Sequence, residues 1–212
     1  MTHTLHRRGS EESLKDDFVV FAIAAQSVNA KNSAPKFEKF FEIVKKHNPS
    51  NMGDMKKGNK YMLGLEGVGK DMMDNSIVHA VFNDEETLSV VLKELKTADL
   101  GLSIVVSGIV HSIDQCCRKN EMKMHTVERS LGIWGKKEKL PEEPVLEIST
   151  MCGHGMIPFD LVDKMAEEVA NGKTKLKDAA ETIASQCVCG VVNTPRVERI
   201  LGMMAEGNKA KQ

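Results

Sequence analysis

Long hydrophobic runs are missing from this sequence. So are internal repeats, low-complexity tracts and any excess of one charge. No apolar stretch approaches the roughly 20 residues that a membrane-crossing helix needs, so no membrane partner is expected. The opening residues, His3 to Asp17, are polar and charged and carry no apolar segment of the secretory kind. Lys and Arg number 29 against 30 Asp and Glu, a net charge of −1, which removes the global positive field that would hold nucleic acid. Local basic groups (Lys136, Lys137, Lys139; Lys173, Lys175, Lys177) have acids beside them and read as solvated surface. Aromatics are scarce at 4%, and thirteen methionines read as adaptable core filler in their place. No G-x-S-x-G, H-E-x-x-H or Ser/His/Asp spacing supports a hydrolase.

What is present suits one substantial core: 212 residues, 41% hydrophobic and 28% charged. The continuous apolar run Phe18 to Ala24 predicts a strand buried on both faces. Ser33 and Pro35 open a helix bearing Phe37, Phe40, Phe41 and Val44. Ile77–Phe82 reads as a strand, Asn83 or Asp84 as the cap of a helix through Leu95, Leu102–Ser107 as another strand, and residues 109–120 as another helix. His125–Trp134 and Val145–Thr150 read as two more strands. The fold expected is therefore α/β: a mixed sheet of about five strands with flanking helices and a C-terminal cysteine-bearing helical segment. Residues 1–151 form the sheet region and 152–212 the helical segment, packed on the same globule. Residues 48–74 read as a long loop. Within it Gly64 to Lys70 satisfies G-x-x-x-x-G-K, but Asp71 follows where a phosphate loop needs Ser or Thr. Residues 1–16, with His3, His6, Arg7 and Arg8, read as a loosely docked arm or as an anion-binding arm over a pocket. From Gly207 onward a polar tail with Lys209 and Lys211 is expected.

Chemistry concentrates between Cys152 and Arg196. Cys152-Gly153-His154-Gly155 leads into an amphipathic helix that ends at Asn171-Gly172; a second helix then emerges at Cys187-Val188-Cys189-Gly190, followed by Asn193-Thr194-Pro195-Arg196. A glycine-flanked turn at a helix N-terminus favours a thiolate. Odd cysteine number and C-x-C spacing, in a chain read as cytoplasmic, point to metal or redox chemistry before disulfides. Cys152, Cys187 and Cys189 are the candidate metal ligands, with His154, Cys116 or Cys117 as a fourth. Cys117 is set beside the three, and His111, on the same helix, is a weaker site candidate. Sulfur-rich ligation selects an iron–sulfur cluster or zinc; metal-free thiol redox and plainly buried cysteines are the alternatives. A [4Fe–4S] cluster on three cysteines leaves one iron for a substrate. On that reading His154 is a ligand or acid/base and Arg196 an anion clamp. Asn193 makes an Asx-turn or orients a ligand. The expected function is a cytosolic enzyme of oxygen-poor metabolism using an iron–sulfur centre on a small anion or for redox. Non-enzymatic zinc binding or metallocentre assembly stands beside it, as does a scaffold that docks a partner on the C-terminal helices. The partners expected are a small molecule or a redox partner, and the chain could form a homo-oligomer.

Overall fold

The computed structural model describes residues 4–210; His3 and Lys211, named above, lie outside the described residues. The first long element is β1 (Phe18–Ile23), and its apolar run has the predicted cause. Phe18, Val20 and Ala22 enter one core while Val19 and Phe21 enter another, because alternate side chains of a strand leave on opposite faces. Beside it on one edge lies β4 (Ile77–Phe82) and on the other β5 (Ser103–Ser107). Next to β4 come β2 (Asn51–Asp54) and the two-residue β3 (Gly58–Asn59), giving the order β3-β2-β4-β1-β5. Every pairing is antiparallel. β1 and β2, joined through α2 (Ala34–Lys45), run parallel with β4 between them, a split β-α-β unit.

Five strands are thus found, but not the five expected. β1, β4 and β5 stand where the pattern put them. Val145–Thr150 is instead mostly α6 (Glu143–Ser149), started by Pro144 in its first turn and burying Val145, Leu146, Ile148 and Ser149 at helical spacing. His125–Trp134 forms no strand, and Leu131 and Trp134 are exposed. The missing strands come from the stretch read as loop, which supplies β2, β3 and α3 (Lys60–Gly69). The glycine motif from Gly64 to Lys70 therefore lies in a helix, kinked at Gly64, rather than in a phosphate-binding loop. No polar tail hangs free within the described residues: α9 (Thr194–Ala210) runs through Lys209.

Helices cover both sheet faces. α2, α4 (Glu85–Ala98) and α5 (Val110–Lys119) pack on the face of Phe18 and Val20. α6, α7 (Phe159–Ala170), α8 (Leu176–Ser185) and α9 pack on the face of Val19 and Phe21, with the three C-terminal cysteines among them. Asp84 caps α4 as expected, its carboxylate accepting from the Thr87 N–H at 2.7 Å.

The N-terminal arm is neither loose nor an open anion site. Ahead of its short helix α1 (Glu11–Leu14) it delivers one cation, Arg7, inward, where it meets Arg196 from α9. Arg7 and Arg196 both pair with the Asp17 carboxylate, which is fully buried at the start of β1. Arg196, expected to clamp a ligand, is 1% exposed and fully engaged. It donates to Asp17 and Glu147 at 2.9 Å each, to the Arg8 carbonyl and to the Ser13 hydroxyl. Burial pushes the Asp17 carboxyl upward, but Arg7 and Arg196 outweigh it and hold the group below its ordinary value.

Its contribution to stability is accordingly complete above about pH 4 and declines as pH falls through the lowered folded value. Asp17→Asn leaves Arg7 without a carboxylate and is expected to cost about 3–5 kcal/mol, read as a shift of the urea midpoint with an unchanged slope.

Candidate thiolate centre

Two turns carry the sulfur. The first spans the end of α6 and the start of α7: the Cys152 N–H bonds the Ser149 carbonyl, and the Gly155 N–H returns to the Cys152 carbonyl at 3.1 Å. Gly155 has a φ of +68°, which glycine adopts without the cost a side chain brings. N–H groups of His154 and Met156 point at the Cys152 sulfur. The thiolate-favouring donors expected from a helix N-terminus are thus supplied by the turn itself.

The second turn closes α8, where the Gly190 N–H bonds the Cys187 carbonyl at 2.9 Å. It lies against β2 and β3, backbone on backbone. A side-chain carbon added at Gly53 would sit 2.5 Å from the Cys189 carbonyl oxygen, and one added at Gly190, φ +67°, would strike the Met52 carbonyl. The carbonyls in and beside this turn also accept from buried asparagines. Asn59 Nδ2 donates to Ala184 at 3.1 Å and Cys187 at 2.8 Å, and Asn51 Nδ2 donates to Val192 at 2.9 Å.

The structure brings four of the predicted residues together. Cys152 and Cys187 share a hydrogen bond although 35 residues separate them. Cys189 Sγ lies 3.7 Å from His154 Nδ1. All three thiols are buried and free, while His154 is exposed at the edge of the site. Donation from Cys187 outweighs the burial that opposes it, and with the turn's N–H groups it lowers Cys152 to about 6. The same bond, reinforced by burial, raises Cys187 well above an ordinary thiol. Burial lifts Cys189 to about 11. The pair Cys152/Cys187 is therefore a thiolate held by a thiol. Among the described residues, no group of three or more His, Cys, Asp or Glu side chains stands close enough to enclose a single metal ion.

Two predicted residues are elsewhere. Cys117 packs beside Cys116 against the core on the opposite sheet face, so the sheet separates it from the other three sulfurs, and burial raises both thiols. His111, on the same helix, bonds Gln115 at the surface. Asn193 makes a local cap, its Oδ1 accepting from the Arg196 N–H at 3.1 Å, and its Nδ2 donates to the buried Asp17 carboxylate at 3.1 Å, an internal partner rather than a ligand. Composition carries no signal for Asn51 or Asn59, whose partners lie far along the chain, and marks Arg7 only as one cation of a candidate anion-binding arm, without its carbonyl partners.

In comparison with known proteins the chain matches no family model, no curated protein and no solved structure.

A small alkylating reagent should label Cys152 with a rate that rises with pH and reaches half its limit near pH 6, and Cys187→Ala should move that midpoint upward. An unchanged midpoint in the variant would show that Cys187 is not the donor. Gly190→Ala combines the left-handed penalty of about 1–2 kcal/mol with an overpacking cost of about 1–3 kcal/mol. It should lower the melting temperature and make Cys189 reactive in the native state.

Proposed function

We propose that Cys152, Cys187 and Cys189 are the ligands of an iron–sulfur cluster and that the chain is a cytoplasmic metalloprotein built around it. The observation that carries this reading is the meeting of three buried sulfurs from two distant turns, against a backbone cradle that leaves them little freedom. A cluster gives each thiolate its own iron, so three sulfurs need not converge on one point as they must around a single ion. That favours a cluster over mononuclear zinc, which needs tetrahedral convergence of four donors such as these cysteines and His154. The cluster, when bound, supplies redox capacity or an open iron for a substrate. His154, at the exposed edge beside Cys189, is the residue placed to move a proton there or to complete the ligand set. Arg196 takes no part in substrate binding on this reading, because its guanidinium is held inside the protein.

One observation favours a second reading. The contact between a low-pKa Cys152 and a protonated Cys187 is the arrangement of an attacking and a resolving thiol, so the same pocket suits metal-free dithiol redox.

Anaerobic purification followed by iron, sulfide and zinc analysis separates these. The cluster reading expects a brown protein with about four irons and four sulfides per chain, and Cys189→Ser should lose most of both. Zinc at one per chain without sulfide replaces it with the zinc reading. Neither metal, together with a reversible Cys152–Cys187 disulfide, replaces it with the dithiol reading.

A further inference from the structure

Arg7 lies in the N-terminal arm, outside every motif that the sequence offers, yet its guanidinium touches both cysteine turns. Nη2 donates to the carbonyl of Met151, the residue before Cys152, at 3.3 Å, and to the carbonyl of Val191, two residues after Cys189. Nη1 pairs with the buried Asp17 carboxylate. Nε is buried and has no hydrogen-bond partner among the described residues, so the grip runs wholly through the two terminal nitrogens. The neighbouring residue ties the same place from outside: the Arg8 N–H donates to the Thr150 hydroxyl at 2.9 Å, and its side chain pairs with Glu143. The arm is thus stitched onto the end of α6 just where the first cysteine turn begins.

Among the described residues no backbone hydrogen bond joins the segments of these two carbonyls, about forty residues apart; packing of α6 on α9 and the Arg196–Glu147 pair bring them together, and Arg7 is the group that bonds both carbonyls. The sheet supports the second turn through Asn51, Asn59 and Gly53, and the first turn hangs from α6. A rigid planar donor anchored on a buried carboxylate fixes such a pair at one separation. A flexible ammonium on a longer unbranched stem does not.

We propose that Arg7 is a positioning residue for the thiolate centre: by holding the Met151 and Val191 carbonyls on one guanidinium, it sets the distance between Cys152 and the Cys187/Cys189 turn. The role rests on the reading of these cysteines as one centre. It makes docking of the arm and assembly of the centre one linked equilibrium, in which whatever favours either favours both. Arg7 touches no reacting atom; it acts through the backbone of the turns.

The test reads sulfur separation without needing a metal. The full-length chain, reduced and treated with chelator, is exposed to a short bifunctional thiol reagent, and the Cys152–Cys187 cross-link is quantified by peptide mapping. Arg7→Lys and Arg7→Ala should each lower the yield roughly tenfold, the scale expected for losing charge-assisted hydrogen bonds, while far-ultraviolet dichroism stays native. Ethylguanidinium added to Arg7→Ala should restore the cross-link, and ethylammonium should not. Wild-type yield in both variants overturns the proposal. So does a loss of cross-linking that accompanies loss of the fold, since Arg7 would then hold the whole globule rather than the turns. Metal content is measured on the same samples, so a chain that binds no iron yet shows the cross-link effect rejects the cluster and keeps Arg7.

Discussion

A single carboxylate with no access to water governs how this molecule is put together. Asp17 sits at the start of β1, which is paired on both sides, and burying its charge alone would cost more than a fold of this size can tolerate. Arg7 and Arg196 surround it, and Asn193 adds a neutral donor. Each of these partners belongs to another segment. Arg7 lies in the arm, Asn193 caps the last helix through the Arg196 N–H, and Arg196 carries that helix's first turn to Glu147 on α6. Removing charge from the cluster thus loosens four segments together. A hydrophobic replacement of similar shape could be as stable, but it would not orient carbonyls. That second capacity is what the cysteine turns use.

The sheet makes an unusual contribution to the centre through residues with little or no side-chain hydrophobicity. Gly53 lets the Cys189 carbonyl come against the β2 backbone, and Gly190 lets β2 come against the turn. Asn51 and Asn59 add side-chain donors to carbonyls in and beside the turn. Supporting groups of this kind hold reactive side chains on rigid elements, and they set a site's geometry more firmly than the loop residues could alone. Cys116 and Cys117, equally free thiols, have no such cradle. They pack on the other sheet face as small hydrophobes.

Periodicity disclosed what periodicity can encode. β1, β4 and β5 are apolar runs, and α2, α4, α7, α8 and α9 carry apolar stripes, so their identity was legible from spacing alone. β2 and β3 escaped notice because only Met52 among their buried residues is apolar and large, while Asn51, Gly53 and Asn59 meet a backbone rather than a core. Val145–Met151 misled in the opposite sense: its β-branched residues suit a strand, but Pro144 and the tertiary packing of Val145 and Ile148 make it a helix. Cys152, Cys187, Cys189 and His154 were legible by residue type. Arg7 was not, since its three acceptors stand 10, 144 and 184 residues away, and only the folded chain shows them together.

The cluster and dithiol readings share one physical premise, an asymmetry among the three sulfurs. Cys152 is stabilised as an anion by donors that are fixed in place before anything binds, whereas Cys187 is kept neutral first by its hydrogen bond to Cys152 and then by burial, and Cys189 by burial. Three thiolates in such a pocket would repel one another without solvent to screen them. The resting protein avoids this by keeping one negative charge and sharing a proton across the Cys152–Cys187 contact. Further negative charge is tolerable only if positive charge arrives with it, as a metal centre would bring, or if electrons leave as a disulfide forms. The pocket is thus poised between two ways of relieving the same electrostatic limit. The Arg7 clamp serves both, because each requires the two turns to remain within reach of one another.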